Sequence, residues 1–101
     1  MNSKQKIAYN IILEEIFSLC DRKSRDYSDE MIVADKEDNI SRLGIPGLYV
    51  RMDDKMGRLY KMMWLAKDNA VKEEGLEDAL KDLCNYCLIA IMLLRNQWRV
   101  K

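Results

Sequence analysis

The last third of the chain carries an apolar residue at every third or fourth position. This stripe comprises Leu76, Leu80, Leu83, Cys87, Ile91, Leu94 and Trp98. The spacing is that of an α-helix, in which side chains three or four residues apart lie on one face. The chain has 101 residues, which is enough for one domain with a modest core. We therefore predict a single all-α domain over residues 1–101.

Two more long helices are expected upstream. The first covers about Ser3 to Arg25 and contains neither glycine nor proline. Its predicted core face comprises Ala8, Ile12, Ile16 and Leu19. The second begins near Pro46, a residue suited to the first turn of a helix, and ends at about Asn69. Its predicted core face comprises Met52, Met56, Leu59 and Met63.

The connections between these helices are predicted from their polar and turn-forming residues. Within the irregular stretch from Asp26 to Gly47, a short helix is expected over Lys36–Leu43, ended by Gly44 in a left-handed conformation. The polar segment Asp68–Gly75 is expected to be a loop. The last helix then begins near Glu77 and Asp78. The predicted fold is a small helical bundle of three long helices and one short helix.

The last helix is apolar on nearly every side between residues 88 and 93. A helix of this kind must be covered all round, and three long helices can barely do so within one small chain. We therefore expect a homodimer or a higher homo-oligomer. The alternative is that the first helix and the irregular segment cover the same surface.

Composition excludes several classes of function. Lys and Arg together number 17, as do Asp and Glu, so bulk charge gives no reason to expect direct nucleic-acid or membrane binding. The chain has no histidine, the commonest general base and zinc ligand. No signal peptide is expected, and the apolar run Cys87–Leu94 is too short to span a membrane. We expect a cytoplasmic protein (in the host cytoplasm if viral) with three buried, reduced cysteines.

Charged residues recur at helical spacing beside the apolar stripes. In the second long helix these are Arg51, Asp54, Lys55 and Arg58, and in the last helix they are Asp78, Asp82 and Asn85. Carboxylates are the oxygen ligands that Mg²⁺ uses, commonly together with substrate phosphates. Asp78 and Asp82 are therefore candidate Mg²⁺ ligands, with Glu77 or Glu74 nearby and an acid from Asp53 or Asp54. Of the last two we take Asp54. The candidate phosphate contacts are Arg51, Lys55 and Arg58. The alternative is structural: Asp82 could pair with Arg58 or Lys55, and Asp78 could stabilise the first helical turn.

A third polar group lies at the expected end of the first helix. Lys23 would fall in its last turn, where a cation is favourable. Asp26 and Tyr27 would open a loop that could fold over the mouth of a bundle. In that position, Tyr27 could stack on a base.

Taken together, these segments resemble a known family. The motifs are Lys23-x-x-Asp26-Tyr27, Arg51-x-x-Asp54-Lys55-x-x-Arg58-Leu59 and Glu77-Asp78-x-x-x-Asp82-Leu83-x-Asn85-Tyr86. In order and spacing, they resemble the phage and bacterial nucleotide modification associated domain. That domain is similar to the MazG-like all-α nucleoside triphosphate pyrophosphohydrolases, which are oligomeric helical bundles that hold magnesium between acidic helices.

The resemblance implies a nucleotide as ligand and a Mg²⁺-dependent hydrolase as the activity. Sugar or base would be oriented by Lys23, Asp26, Tyr27 and Asn85. The catalytic residues would be Glu77 and Asp82, with Glu77 positioning the attacking water. The chain also departs from the pattern: Ser18 follows Glu14 and Glu15 where a third acid is expected. The alternative is therefore a non-enzymatic phage module that sequesters a nucleotide or binds a host protein.

Overall fold

A computed structural model describes residues 1–32, 39–65 and 69–98, with side chains described for 1–22, 43–65 and 75–98. The described residues are helical almost throughout and contain no strand, so the predicted all-α class is confirmed. The elements are α1 (Ser3–Ile32), α2 (Asn39–Tyr60), a π-helical segment (Lys61–Leu65) and α3 (Asn69–Leu94). No helix in the described ranges is both long and apolar enough to cross a membrane.

The chain divides into two compact units, residues 1–36 and 37–101. Both fall within the single domain predicted over residues 1–101, which stays a prediction. The first unit contains α1. The second contains α2, the π-helical segment and α3, which we call the hairpin.

Helix α1 begins at a reciprocal cap. The backbone N–H of Gln5 donates to Oδ1 of Asn2 (2.9 Å), and the backbone N–H of Asn2 donates to Oε1 of Gln5 (2.8 Å). These bonds satisfy donors that the first turn leaves without intrahelical partners. The helix is 30 residues long and continues to Ile32, past its predicted end at Arg25. No glycine or proline occurs between Arg25 and Ile32, so no helix breaker ends the helix at Arg25.

Helix α2 is broken where the sequence predicts a break. Gly44 has φ 64° and ψ −155°, in the region of positive φ that glycine adopts without a steric penalty. The short helix predicted to end here is present from Asn39. Pro46 then lies in the first turn after the break, where its missing N–H costs no hydrogen bond. A Cβ at Gly47 would overlap the Cβ of Leu43, so the chain on the two sides of the break packs closely.

Helix α3 begins at Asn69, well before the predicted start near Glu77. The prediction of a loop over Asp68–Gly75 is therefore wrong for residues 69–75, and Asp68 lies outside the described residues. The segment is polar but contains no helix breaker before Gly75. Gly75 lies inside the helix. A Cβ at this position would be 3.3 Å from Sδ and Cε of Met62, so the missing side chain leaves room for Met62 against α3. With Asn69 as the first residue, Asp78 is not in the first turn and gains nothing from the helix dipole.

Helices α2 and α3 run antiparallel. From the π-helical segment back along α2, Met62 lies opposite Gly75, Lys55 bonds Asp82, and Met52 contacts Cys87. The position on α3 therefore advances as the position on α2 recedes. Among the hairpin residues whose side chains are described, the buried apolar ones are Leu48, Leu59, Ala79 and Ile89.

The predicted core faces of the hairpin are partly wrong. Leu59 is buried, but Met56 and Met63 are more than half exposed. On α3, Leu80, Ile91 and Leu94 are also exposed. The separation between packed helices depends on the side chains at their contact. Because α3 turns the small residues Gly75 and Ala79 toward α2, the large residues of the predicted stripe lie on another side of the helix.

The predicted face of α1 is also mostly exposed. Ile16 is buried and Leu19 is half-buried, whereas Ala8 and Ile12 are exposed. Phe17, on a neighbouring side of the helix, is exposed as well. The helical period is therefore correct, but it did not predict which residues are covered.

Candidate functional site

An ion pair joins the two helices of the hairpin. Nζ of Lys55 lies 2.9 Å from Oδ2 of Asp82, and the two side chains are only 18% and 14% exposed. Two opposite charges this close and this poorly solvated attract more strongly than a surface pair. The structural alternative for Asp82, a bond to Lys55, is thus present in the structure.

The other charged residues flank this pair on one side of the hairpin. Each residue of an α-helix is rotated about 100° from the preceding one. Arg51 and Arg58 are therefore offset from Lys55 in the same rotational direction, and Met52 is offset in the opposite direction. The contact between Sδ of Met52 and Sγ of Cys87, at 3.9 Å, marks that opposite side.

The same geometry places the polar residues of α3. Asp78 precedes Asp82 by four residues and Asn85 follows it by three, and both are rotated away from the side on which Cys87 lies. We call the surface formed by Arg51, Lys55, Arg58, Asp78, Asp82 and Asn85 the polar side of the hairpin. It unites three predicted phosphate contacts with two predicted Mg²⁺ ligands and one predicted sugar or base contact. Arg58 and Asp78 are exposed at its rim, whereas Arg51 is half-buried.

Asn85 is unusual among these residues. It is only 5% exposed and is the buried polar residue of the described core. Neither Nδ2 nor Oδ1 of its side chain has a hydrogen-bond partner within the described chain. An unsatisfied buried polar group typically costs about 1–3 kcal/mol, so this amide destabilises the hairpin unless something bonds to it. Helical spacing placed Asn85 beside Asp82, but nothing in the sequence indicated its burial.

The predicted magnesium ligands are only partly brought together. Asp78 and Asp82 are one helical turn apart, whereas Asp54 is exposed and offset further from Lys55 than either arginine. The described residues include no group of three His, Cys, Asp or Glu residues placed to hold a metal ion. The described carboxylates thus do not form a complete Mg²⁺ site by themselves, and the magnesium assignment stays a prediction.

Glu77 lies apart from the polar side. Its side chain is 71% exposed, and its Oε2 lies 3.6 Å from Nζ of Lys81, one turn along the same helix. It precedes Asp82 by five residues, which places it about 140° away around α3. The role predicted for Glu77, positioning a water beside Asp82, has no support from this placement and stays a prediction.

The remaining predicted site residues belong to the first unit. Lys23, Asp26 and Tyr27 lie in the continuous helix α1, so the loop expected to begin at Asp26 is helix up to Ile32. Their side chains are outside the described part of the structure. Their assignment to sugar or base stays a prediction.

The three cysteines are free in this structure, and the prediction that all of them are buried is wrong. Cys20 and Cys84 are half-buried and Cys87 is exposed. Cys87 belongs to the apolar stripe that was expected to face the core. Because α3 presents a different side to α2, this thiol lies at the surface.

No family model matches the chain, and comparisons with curated proteins and with solved structures also found no match.

Proposed function

We propose that this chain is a nucleotide-binding protein, with Mg²⁺-dependent nucleoside triphosphate pyrophosphohydrolase-like activity in phage nucleotide metabolism or DNA modification. The observation that best supports this function is the polar side of the hairpin. There, three cationic residues of α2 lie on the same side of the hairpin as two acidic residues and the buried Asn85 of α3, and Lys55 contacts Asp82 across the two helices. The family resemblance described above rests on many of the same residues.

The cations are arranged as a polyphosphate would require. Arg51, Lys55 and Arg58 occupy consecutive turns of α2 and are offset toward the same side. Arginine binds phosphate oxygens through two parallel hydrogen bonds, and lysine acts as a compact point charge. A chain of phosphates lying along α2 would contact several of these groups at once. Asp82 already holds Lys55 in place, so little side-chain freedom would be lost there on binding.

Magnesium would enter this site with the nucleotide. Mg²⁺ is usually held by one or two carboxylates together with substrate phosphates and water. Asp78 and Asp82, one turn apart on α3, are suitable for that number of protein ligands. When bound, the ion would neutralise phosphate charge and polarise the bond to be cleaved.

A second copy of the chain is proposed to cover the exposed stripe of α3. Leu80, Cys87 and Leu94 are seven residues apart and Ile91 lies between the last two; all four are exposed. A seven-residue apolar repeat is the pattern by which two helices pack knobs into holes. No charged residue lies within the stripe, so a second copy of this neutral seam would match it without burying a charge.

Titration of the protein with nucleoside triphosphates and MgCl₂ tests the proposed function. We expect binding by calorimetry, release of pyrophosphate, and a thermal shift with the two ligands together that Mg²⁺ alone does not produce. Arg58→Ala should weaken triphosphate binding about 10- to 100-fold, because hydrogen bonds between charged groups are worth about 1.5–3 kcal/mol.

Arg95→Ala is the matched control. Arg95 is also an exposed arginine, but it lies beyond the end of α3, and its removal should leave binding unchanged. Binding without pyrophosphate release would support the non-enzymatic module that sequesters a nucleotide. No binding of any triphosphate would refute the proposed function.

A further inference from the structure

We infer that Asn85 is the specificity-determining residue of this site, and that its amide reads the hydrogen-bonding edge of a nucleobase. This inference rests on the proposed function and names what the buried part of the site recognises. It is based on one observation that the charged residues do not explain: both polar atoms of a side chain that is only 5% exposed have no partner within the described chain.

The chemistry of the amide limits what could satisfy it. The Asn85 side chain offers two N–H donors on Nδ2 and an acceptor on Oδ1. A phosphate oxygen only accepts hydrogen bonds, so it would leave Oδ1 unsatisfied. A metal ion would engage Oδ1 and leave Nδ2 unsatisfied. A group that presents a donor beside an acceptor satisfies both atoms at once, as an asparagine does when it bonds the N6–H and N7 of adenine.

Nucleobases carry such edges, and the position of Asn85 suits a base. On α3, Asn85 lies one turn from Asp82 and two turns from Asp78. At 1.5 Å per residue, the distance from Asn85 to Asp78 along the helix axis is about 10 Å. The carboxylates of Asp82 and Asp78 therefore begin one turn away and extend from Asn85. In the antiparallel hairpin, Lys55 and Arg58 extend in the same direction on α2, whereas Arg51 lies about level with Asn85. A nucleotide lying along the polar side would place its base at Asn85 and its phosphates toward Arg58 and Asp78.

The burial of Asn85 predicts how recognition works. A base reaches this amide only by displacing the groups that cover it. Its hydrogen bonds would then form in surroundings with little water, where an unpaired group is expensive. Ligands that lack the complementary edge are rejected because the amide stays unsatisfied, a mechanism that can discriminate by large factors.

Replacement of Asn85 by leucine tests the inference, with calorimetry of Mg²⁺ complexes of the common nucleoside triphosphates and of inorganic tripolyphosphate. We expect Asn85→Leu to weaken the tightest nucleoside triphosphate about 10- to 100-fold and to change tripolyphosphate affinity less than twofold. The melting temperature should hold or rise, because an unsatisfied buried amide is removed. Asn85→Ala should show the same loss of preference for the nucleotide if leucine proves too large for the space.

Ile89→Val is the matched control. Ile89 is also buried on α3, one turn further along, and it carries no polar atom. Its substitution should leave the ratio of nucleotide to tripolyphosphate affinity unchanged. An unchanged ratio in both Asn85 variants would overturn the inference while the proposed function stands. A wild-type protein that binds tripolyphosphate and nucleotides equally would also overturn the inference and leave the proposed function standing. A wild-type protein that binds neither would overturn both the inference and the proposed function.

Discussion

Asp82→Asn is the substitution whose effect the structure defines most sharply. The change keeps the size of the side chain and removes its charge. Lys55 would then keep its positive charge at a site where only 18% of its side chain is exposed. Removing one member of a buried pair is costly, mainly because the remaining charge has lost its compensation.

The expected loss follows from the geometry of the pair. Opposite charges 2.9 Å apart attract by about 6 kcal/mol at an effective dielectric constant of about 20. Breaking a fully buried pair costs about 3–5 kcal/mol. Both side chains keep some contact with water, and the amide oxygen of asparagine can still accept a hydrogen bond from Lys55. We therefore expect a loss of about 2–3 kcal/mol, or roughly 10–20 °C in melting temperature for a domain of this size.

Thermal and urea denaturation followed by circular dichroism would measure this loss. Glu77→Gln is the control, since it removes the acid of the 3.6 Å pair between Glu77 and Lys81, in which the Glu77 side chain is 71% exposed. This change should alter the free energy of unfolding by less than about 0.5 kcal/mol. The double variant Lys55→Met with Asp82→Leu should recover most of the stability, because neither charge of this pair then remains buried without the other. If Asp82→Asn melts within about 2 °C of the wild type, the pair contributes little to stability and the reasoning fails.

Three further predictions concern packing and the exposed surface. Gly47→Ala should lower the free energy of unfolding by about 1–3 kcal/mol through overpacking. Gly57→Ala, whose new methyl group meets open space, should raise it by about 0.5–1 kcal/mol. If the two variants had the same melting temperature, both predictions would be contradicted. Ile91→Lys should convert the proposed dimer to folded monomer, measured by light scattering, and a wild-type monomer at micromolar concentration would refute the proposed assembly. A thiol reagent should label Cys87 before the other two cysteines, and mass spectrometry that shows equal labelling of all three would contradict this order. If a second copy covers Cys87, its labelling should slow at high protein concentration.

The sequence was sufficient to predict the three long helices and the break in α2, but not the π-helical segment. Helical spacing identified the three long helices. Gly44 and Pro46 predicted the break in α2 because each acts through a local backbone property that does not depend on distant residues. The ends of α1 and α3 were wrong because polar segments without a breaker were taken for loops, although polar residues are common on the exposed side of a helix.

The orientation of each helix about its own axis could not be predicted in the same way. Apolar spacing on α3 favoured a face containing Leu80 and Ile91, but α3 presents Ala79 and Asp82 to α2. Which side of α3 packs against α2 depends on how closely the two backbones can approach and on which charged side chains form ion pairs across the contact. Both depend on pairing between segments far apart in the sequence. The charged residues of the site were found by their spacing, whereas the orphaned amide of Asn85 is a property of packing alone.

The π-helical segment at Lys61–Leu65 gives the hairpin a place where its length can change. A π-turn bonds each N–H to the carbonyl five residues back and so holds one residue more than an α-turn. Deletion of one residue within this segment would restore regular α-helical spacing. The pairing of Lys55 with Asp82 would be preserved, whereas a deletion in the middle of α2 would rotate everything beyond it by about 100°. Insertions and deletions during the evolution of this chain are therefore expected to be tolerated best at this turn.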